Sequence, residues 1–165
     1  MSWVRQNSNS ASFWSQAAIS AGTALFLLAL AGSAILEPRL RLLHALQALI
    51  YVAILLLTRR NSPWGFGIGA VVPAAWNCMN LFLTHLIQTG TEQLWSLLRT
   101  GHASQPVSIT VAIGGLGHFI LILGCLIGFL QLRPGHRQLV QFVAGGLLAL
   151  AYFALIVTMT VGHGV

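Results

Sequence analysis

Residues Ala21–Leu36 read AGTALFLLALAGSAIL, with no charge and no alternation of apolar and polar positions. A helix needs about 20 mostly apolar residues to cross the hydrocarbon layer of a bilayer, and the uncharged stretch reaches back to Gln6. In lipid only helices and closed barrels satisfy every backbone N–H and C=O. Barrel strands alternate with a period of two, and this segment does not. It is therefore read as a membrane helix. An apolar run ending in small residues behind Arg5 also has the outline of a secretory leader. The polar stretch Gln6–Ser12 is long for such a leader, so an uncleaved first span is expected.

The rest of the chain repeats the pattern. Charges divide it into the uncharged stretches Gln6–Leu36, Leu42–Thr58, Asn61–Thr91, Thr100–Leu132 and Gln138–Val165. Spans are predicted near 15–36, 40–58, 66–88, 107–130 and 139–161. The fold class is thus all-α, a polytopic membrane helical bundle with five transmembrane helices in a single integral membrane domain over 1–165. Composition agrees. Of 165 residues, 56% are hydrophobic and 6% charged, against roughly 25% charged in an average soluble domain, and the mean hydropathy is +0.82. Eight Arg and two Glu (Glu37 and Glu92), with no Lys and no Asp, cannot clothe a water-soluble surface.

A net charge of +6 and a pI of about 11.2 would suggest a nucleic-acid partner in a soluble chain. Here Arg stands singly or in pairs between apolar stretches, so the expected partner is the lipid bilayer and no nucleic acid. Arg counts near the spans set the orientation. With the N-terminus inside, Arg5, Arg59, Arg60, Arg133 and Arg137 lie on the inner side, and Arg39, Arg41 and Arg99 on the outer. The expected placement is a prokaryotic cytoplasmic membrane, N-terminus in and C-terminus out. Glu37-Pro38 and Asn61-Ser62-Pro63 make tight turns. In the longest connection Thr89 and Glu92 fit a capping box. Leu94, Trp95, Leu97 and Leu98 add an apolar face, which predicts a short interfacial helix near 91–99.

Polar residues inside spans carry the functional information, because an unpaired polar group in lipid is costly and faces protein. In the third span Pro73, Asn77, Asn80, Thr84 and Gln88 fall within an arc of about 80°, with His85 at its edge. In the second, His44, Gln47, Tyr51 and Thr58 fall within about 60°. The short RRNSP turn makes these spans antiparallel neighbours, and the economical arrangement turns the stripes toward each other. The commoner outcome of such stripes is interhelical hydrogen bonding that fixes packing. The sharper one is an intramembrane polar pocket formed by Gln47, Tyr51, Asn77, Asn80, Thr84 and Gln88. Pro73 favours the pocket, since a mid-helix proline frees a carbonyl and kinks the helix.

His44 and His85 lie near the outer ends of adjacent spans at matched depth, and His118 lies near mid-depth in GGLGHF. These three are the candidate ligands of a cofactor, either haem or another tetrapyrrole, or of a metal ion. The simpler reading of Gly114, Gly115 and Gly117 is close helix packing, as for the GxxxG pair Gly124 and Gly128. Two spans read as packing helices: the first through Ala17, Ala21, Ala24, Ala31 and Gly32, the fifth through Gly145, Ala149, Tyr152, Ile156 and His163. Cys78 and Cys125 sit in apolar stretches as small packing residues. The run Gly65-Phe66-Gly67-Ile68-Gly69 follows no strand and holds no Lys, so it is not a nucleotide loop.

Without Asp there is no Ser-His-Asp triad, and paired-carboxylate chemistry would need Glu37 and Glu92 to meet across separate connections. No span holds a carboxylate for a buried proton relay, and no acidic cluster exists for magnesium. No catalytic residue is assigned, and an enzyme is not expected. The leading expectation is an accessory or structural subunit of a larger redox, photosynthetic or transport complex, alongside other membrane subunits or as a homo-oligomer. The alternatives are a His-ligated tetrapyrrole or metal protein, and a membrane-embedded binding or transport protein for a small solute or lipid.

Overall fold

A computed structural model of the chain describes residues 11–162, with side chains through Thr158. Arg5 and His163, used above for the orientation and for the last span's face, lie outside the described residues. The helices are α1 (Phe13–Leu36), α2 (Arg41–Arg59), α3 (Pro63–Cys78), α4 (Leu86–Thr100), α5 (Pro106–Gln131) and α6 (His136–Gly162), and no strand occurs among the described residues. Five stretches are long and apolar enough to cross a membrane: Phe13–Leu36, Pro38–Arg59, Pro63–Leu83, Pro106–Gln131 and His136–Thr158. The protein is a small all-helical membrane protein.

Helix starts follow the local chemistry. Ser12 caps α1, its hydroxyl accepting from the Ser15 N–H. Pro63 and Pro106 stand in the first turns of α3 and α5, where a missing N–H costs nothing. Asn61, in the left-handed region at φ 52°, turns α2 into α3, and its Oδ1 accepts from the Ala11 N–H at 3.0 Å.

Glycine then decides which helices touch. On α3, Gly65 faces Leu57 of α2, Gly67 faces the Phe142 carbonyl of α6, and Gly69 faces Cys125 of α5 and Ile54 of α2. The GFGIG run is thus the surface of a helix with neighbours on several sides. On α5, Gly117 and Gly124 meet Gly22 and Ile19 of α1, and Gly114 meets the Phe26 ring. The buried face of α1 is Ser15, Ile19, Gly22, Thr23, Phe26, Ala29, Leu30 and Ser33. Ala21, Ala24 and Ala31 point out of the bundle. On α6, Gly145 lies on the Trp64 backbone, Ala149 and Ile156 are buried, and the Tyr152 hydroxyl donates to the Leu46 carbonyl of α2 at 2.6 Å.

The third span departs from the expected straight helix over 66–88. After Cys78 it widens into a π-turn, Met79–Leu83, in which the Thr84 N–H donates to the Met79 carbonyl at 3.0 Å. It then breaks at His85, which adopts φ 56°. Side chains repair the lost ladder: the Asn80 amide donates to the Trp76 carbonyl at 2.9 Å and the Gln88 amide to the Leu81 carbonyl at 2.6 Å. Part of the polar stripe therefore exists to satisfy a broken backbone.

The short helix expected near 91–99 is present as α4 and begins earlier, at Leu86. Thr89 consequently lies inside it, its hydroxyl donating to the His85 carbonyl at 3.1 Å, and the capping box with Glu92 is not formed. Ile87 reaches Gly115, Gly90 sits on Ser108 and Ala112, and Gln93 Oε1 accepts from the Ser104 and Gln105 N–H groups at 2.8 and 3.1 Å. These contacts descend α5 as they ascend α4, so the two helices are antiparallel. The far half of α4 exposes Trp95 and Leu98, with the Arg99 guanidinium 4.3 Å from the Trp95 ring centroid.

Candidate functional site

The buried face of α2 is Gln47, Tyr51, Ile54 and Thr58. Tyr51 meets α5, where it begins a chain of hydrogen bonds whose directions can be assigned. The Gly115 carbonyl can only accept, so the Asn77 amide nitrogen donates to it, at 3.3 Å. That turns Asn77 Oδ1 toward His118 Nδ1, 2.8 Å away. An amide oxygen only accepts, so Nδ1 carries the proton and Nε2 a lone pair. The Tyr51 hydroxyl donates to that lone pair at 2.7 Å. The run Tyr51 to His118 to Asn77 to Gly115 is therefore neutral and directional. Its side chains are sealed, with Tyr51 0%, Asn77 3% and His118 3% exposed, and the Phe26 ring lies 4.1 Å from both the Tyr51 and His118 rings. The polar stripes of the second and third spans are joined through His118 of α5 rather than facing each other directly.

A second station lies nearer the helix ends. His44 Nδ1 is 2.9 Å from Gln47 Oε1, and His44 Nε2 is 2.9 Å from Ser33 Oγ of α1. Ser33 stands three residues before the end of α1 and His44 three residues after the start of α2, so the two share a depth. That symmetry is the signal in the sequence that would have found Ser33, which the stripe argument missed because α1 carries no stripe.

Between these stations the structure holds a cavity of about 320 Å³. His118 and Asn77 form its floor, Gln47, His44, Asn80 and Thr84 contribute further polar groups, and Phe26, Leu30, Leu43, Trp76, Val107 and Val111 are among its apolar walls. It runs from His118 to Val107 of α5, about 16 Å at the helical rise. At mid-depth it ends on the sealed network. At the other end it meets the start of α2 at Leu40 and the start of α5. The π-turn contributes Met79 and Asn80 to its wall, an irregular backbone where a membrane protein tolerates one, beside a cavity.

Of the residues singled out from the sequence, His44, Gln47, Asn77, Asn80, Thr84 and His118 line this cavity. Tyr51 lies behind its floor, bonded to His118. His85 and Gln88 are exposed and do not line it. His44 is bonded instead to Gln47 and Ser33. A tetrapyrrole or metal fits this donor set poorly, because both ring nitrogens of His44 and of His118 are engaged. Among the described residues no group of three or more His, Cys, Asp or Glu could hold a metal ion. No Asp, Glu, Cys or Arg is among the residues that line the cavity. Compared with protein-family models, curated proteins and solved structures, the chain matches none.

Proposed function

We propose that this protein is a membrane-embedded binding protein for a small, mostly apolar molecule with a polar end. The observation that carries the reading is the cavity of about 320 Å³ with apolar walls and amide and imidazole groups along it. Ligand sites have this make-up, and the volume lies at the small end of their usual range of about 300–1,000 Å³. With the N-terminus inside, the end of the cavity lined by Leu40 and Val107 lies toward the outer side.

Trp76, on the cavity wall, supplies the test. Saturable quenching of its fluorescence by 1-bromodecane is expected in detergent, read as the component lost in Trp76→Phe. Val111→Phe, which fills the cavity, should remove the saturable part. Linear quenching unchanged by Val111→Phe would mean simple partition into the micelle and would end the reading.

A second reading concerns assembly, and the outward face of α1 favours it. Ala21, Ala24 and Ala31 are exposed although the contact with α5 is made elsewhere on the helix. Small residues on a lipid-facing surface let another helix approach closely. The protein then serves as a subunit of a larger membrane assembly or as a homo-oligomer. In mild detergent we expect a mass above the 17.7 kDa chain, lowered to the monomer by Ala24→Phe. A wild-type monomer with no accompanying chain contradicts this.

A further inference from the structure

The direction of each hydrogen bond around the cavity shows which polar groups are left over. The Ser33 hydroxyl has no acceptor other than His44 Nε2 among the described residues, so it donates there. His44 Nδ1 therefore carries the proton and donates to Gln47 Oε1. The Gln47 amide nitrogen then has no partner among the described residues. Gln47 is only 5% exposed and lines the cavity, and its nitrogen is not one of the fully enclosed polar atoms without partners. What it reaches is the cavity. Asn80 behaves alike: Oδ1 accepts from the Thr84 hydroxyl at 3.3 Å, one N–H goes to Trp76, and the other remains. The acceptors are committed in turn, with Asn77 Oδ1 taken by His118 and His118 Nε2 by Tyr51. Each amide oxygen and imidazole lone pair around the cavity thus already receives a hydrogen bond, whereas the Gln47 amide nitrogen and one Asn80 N–H donate to nothing among the described residues. No Arg and no Glu lines it.

We infer that the molecule held in this cavity presents a neutral hydrogen-bond acceptor, a ketone- or ester-type carbonyl oxygen, to the Gln47 amide. The inference rests on the binding reading above and adds the chemistry of the ligand's polar end. Physical reasoning makes that end decisive. Lipid tails are as apolar as the cavity walls, so the hydrophobic effect does not distinguish the cavity from the bilayer. An acceptor has no donor partner among acyl chains, and the Gln47 N–H groups have no acceptor among the described residues. A carbonyl satisfies both. An anion would bring an uncompensated charge into a site with no cation, and an ammonium would bring one into a site with no carboxylate.

The probes are 2-decanone, decane and decylammonium, titrated against the purified protein with Trp76 as reporter. We expect 2-decanone to bind at least about fivefold more tightly than decane, which is one net hydrogen bond, and decylammonium to bind more weakly than 2-decanone. Gln47→Leu should bring 2-decanone to the decane level and leave decane unchanged. The infrared carbonyl band of ¹³C-labelled 2-decanone in the wild-type protein gives a readout independent of any variant, and it should shift to lower frequency than in empty micelles. Equal binding of all three probes, tighter decylammonium, or an unshifted carbonyl band overturns the acceptor assignment while leaving the cavity a binding site. Absence of saturable binding for every probe overturns the binding reading itself.

Discussion

Gly67→Ala is expected to destabilise the bundle by about 3 kcal/mol or to prevent its assembly, at the upper end of the cost of overpacking. A Cβ at this position would overlap the carbonyl oxygen of Phe142, and the next nearest atoms are also backbone. A flexible side chain could swing away, whereas a backbone carbonyl moves only if α6 moves with it. Separating α3 from α6 also disturbs Gly145 on Trp64 and the Trp76–Phe153 edge contact, with centroids 4.8 Å apart. Gly32→Ala is the control. Its Cβ would lie 3.4 Å from a Thr110 methyl, an ordinary contact. Alanine also has the higher helix propensity, so Gly32→Ala should stay within about 0.5 kcal/mol of wild type. Thermal unfolding in detergent compares the two, and equal midpoints would show that α3 and α6 are not packed this closely.

His118→Leu is expected to cost about 2–6 kcal/mol, because it strands the Tyr51 hydroxyl and Asn77 Oδ1 together, each at about 1–3 kcal/mol. Hydrogen bonds between membrane helices average less than 1 kcal/mol, roughly 0.6, because the separated helices also find polar partners. This network should exceed that average, because its members are at most 3% exposed. Tyr51→Phe in the His118→Leu background removes one stranded group and should recover about 1 kcal/mol. Positive coupling in that double-mutant cycle is the signature of the bond. Strict additivity would mean that the Tyr51–His118 contact contributes nothing to stability.

Much of this arrangement is legible in the amino-acid sequence. Absent carboxylates and uninterrupted apolar runs predict spans whose observed ends differ by a few residues in four of five cases. The 3.6-residue period places Gln47, Tyr51 and Thr58 on one face of α2, and that face is buried. Periodicity ran out at Thr84 and His85. It presumes a continuous α-helix, and neither a π-turn nor a left-handed histidine announces itself with Gly or Pro. Gln88 was assigned to the stripe for that reason, although it lies beyond the break on α4. Histidine roles were likewise open, since a lone imidazole serves equally as metal ligand or as a link between two neutral hydrogen bonds.

Hydropathy and charge alone settle that the chain lives in lipid as a helical bundle, because a bare backbone polar group there is prohibitively costly wherever the helices go. Which helices meet is a different kind of fact. It depends on where glycine lets two backbones approach, and that took the assembled bundle to show α3 packed on α2, α5 and α6, with His118 of α5 linking Tyr51 to Asn77. The same holds for the cavity: each amide has both donors and acceptors, and only its neighbours in space decide which of them remain to face a ligand.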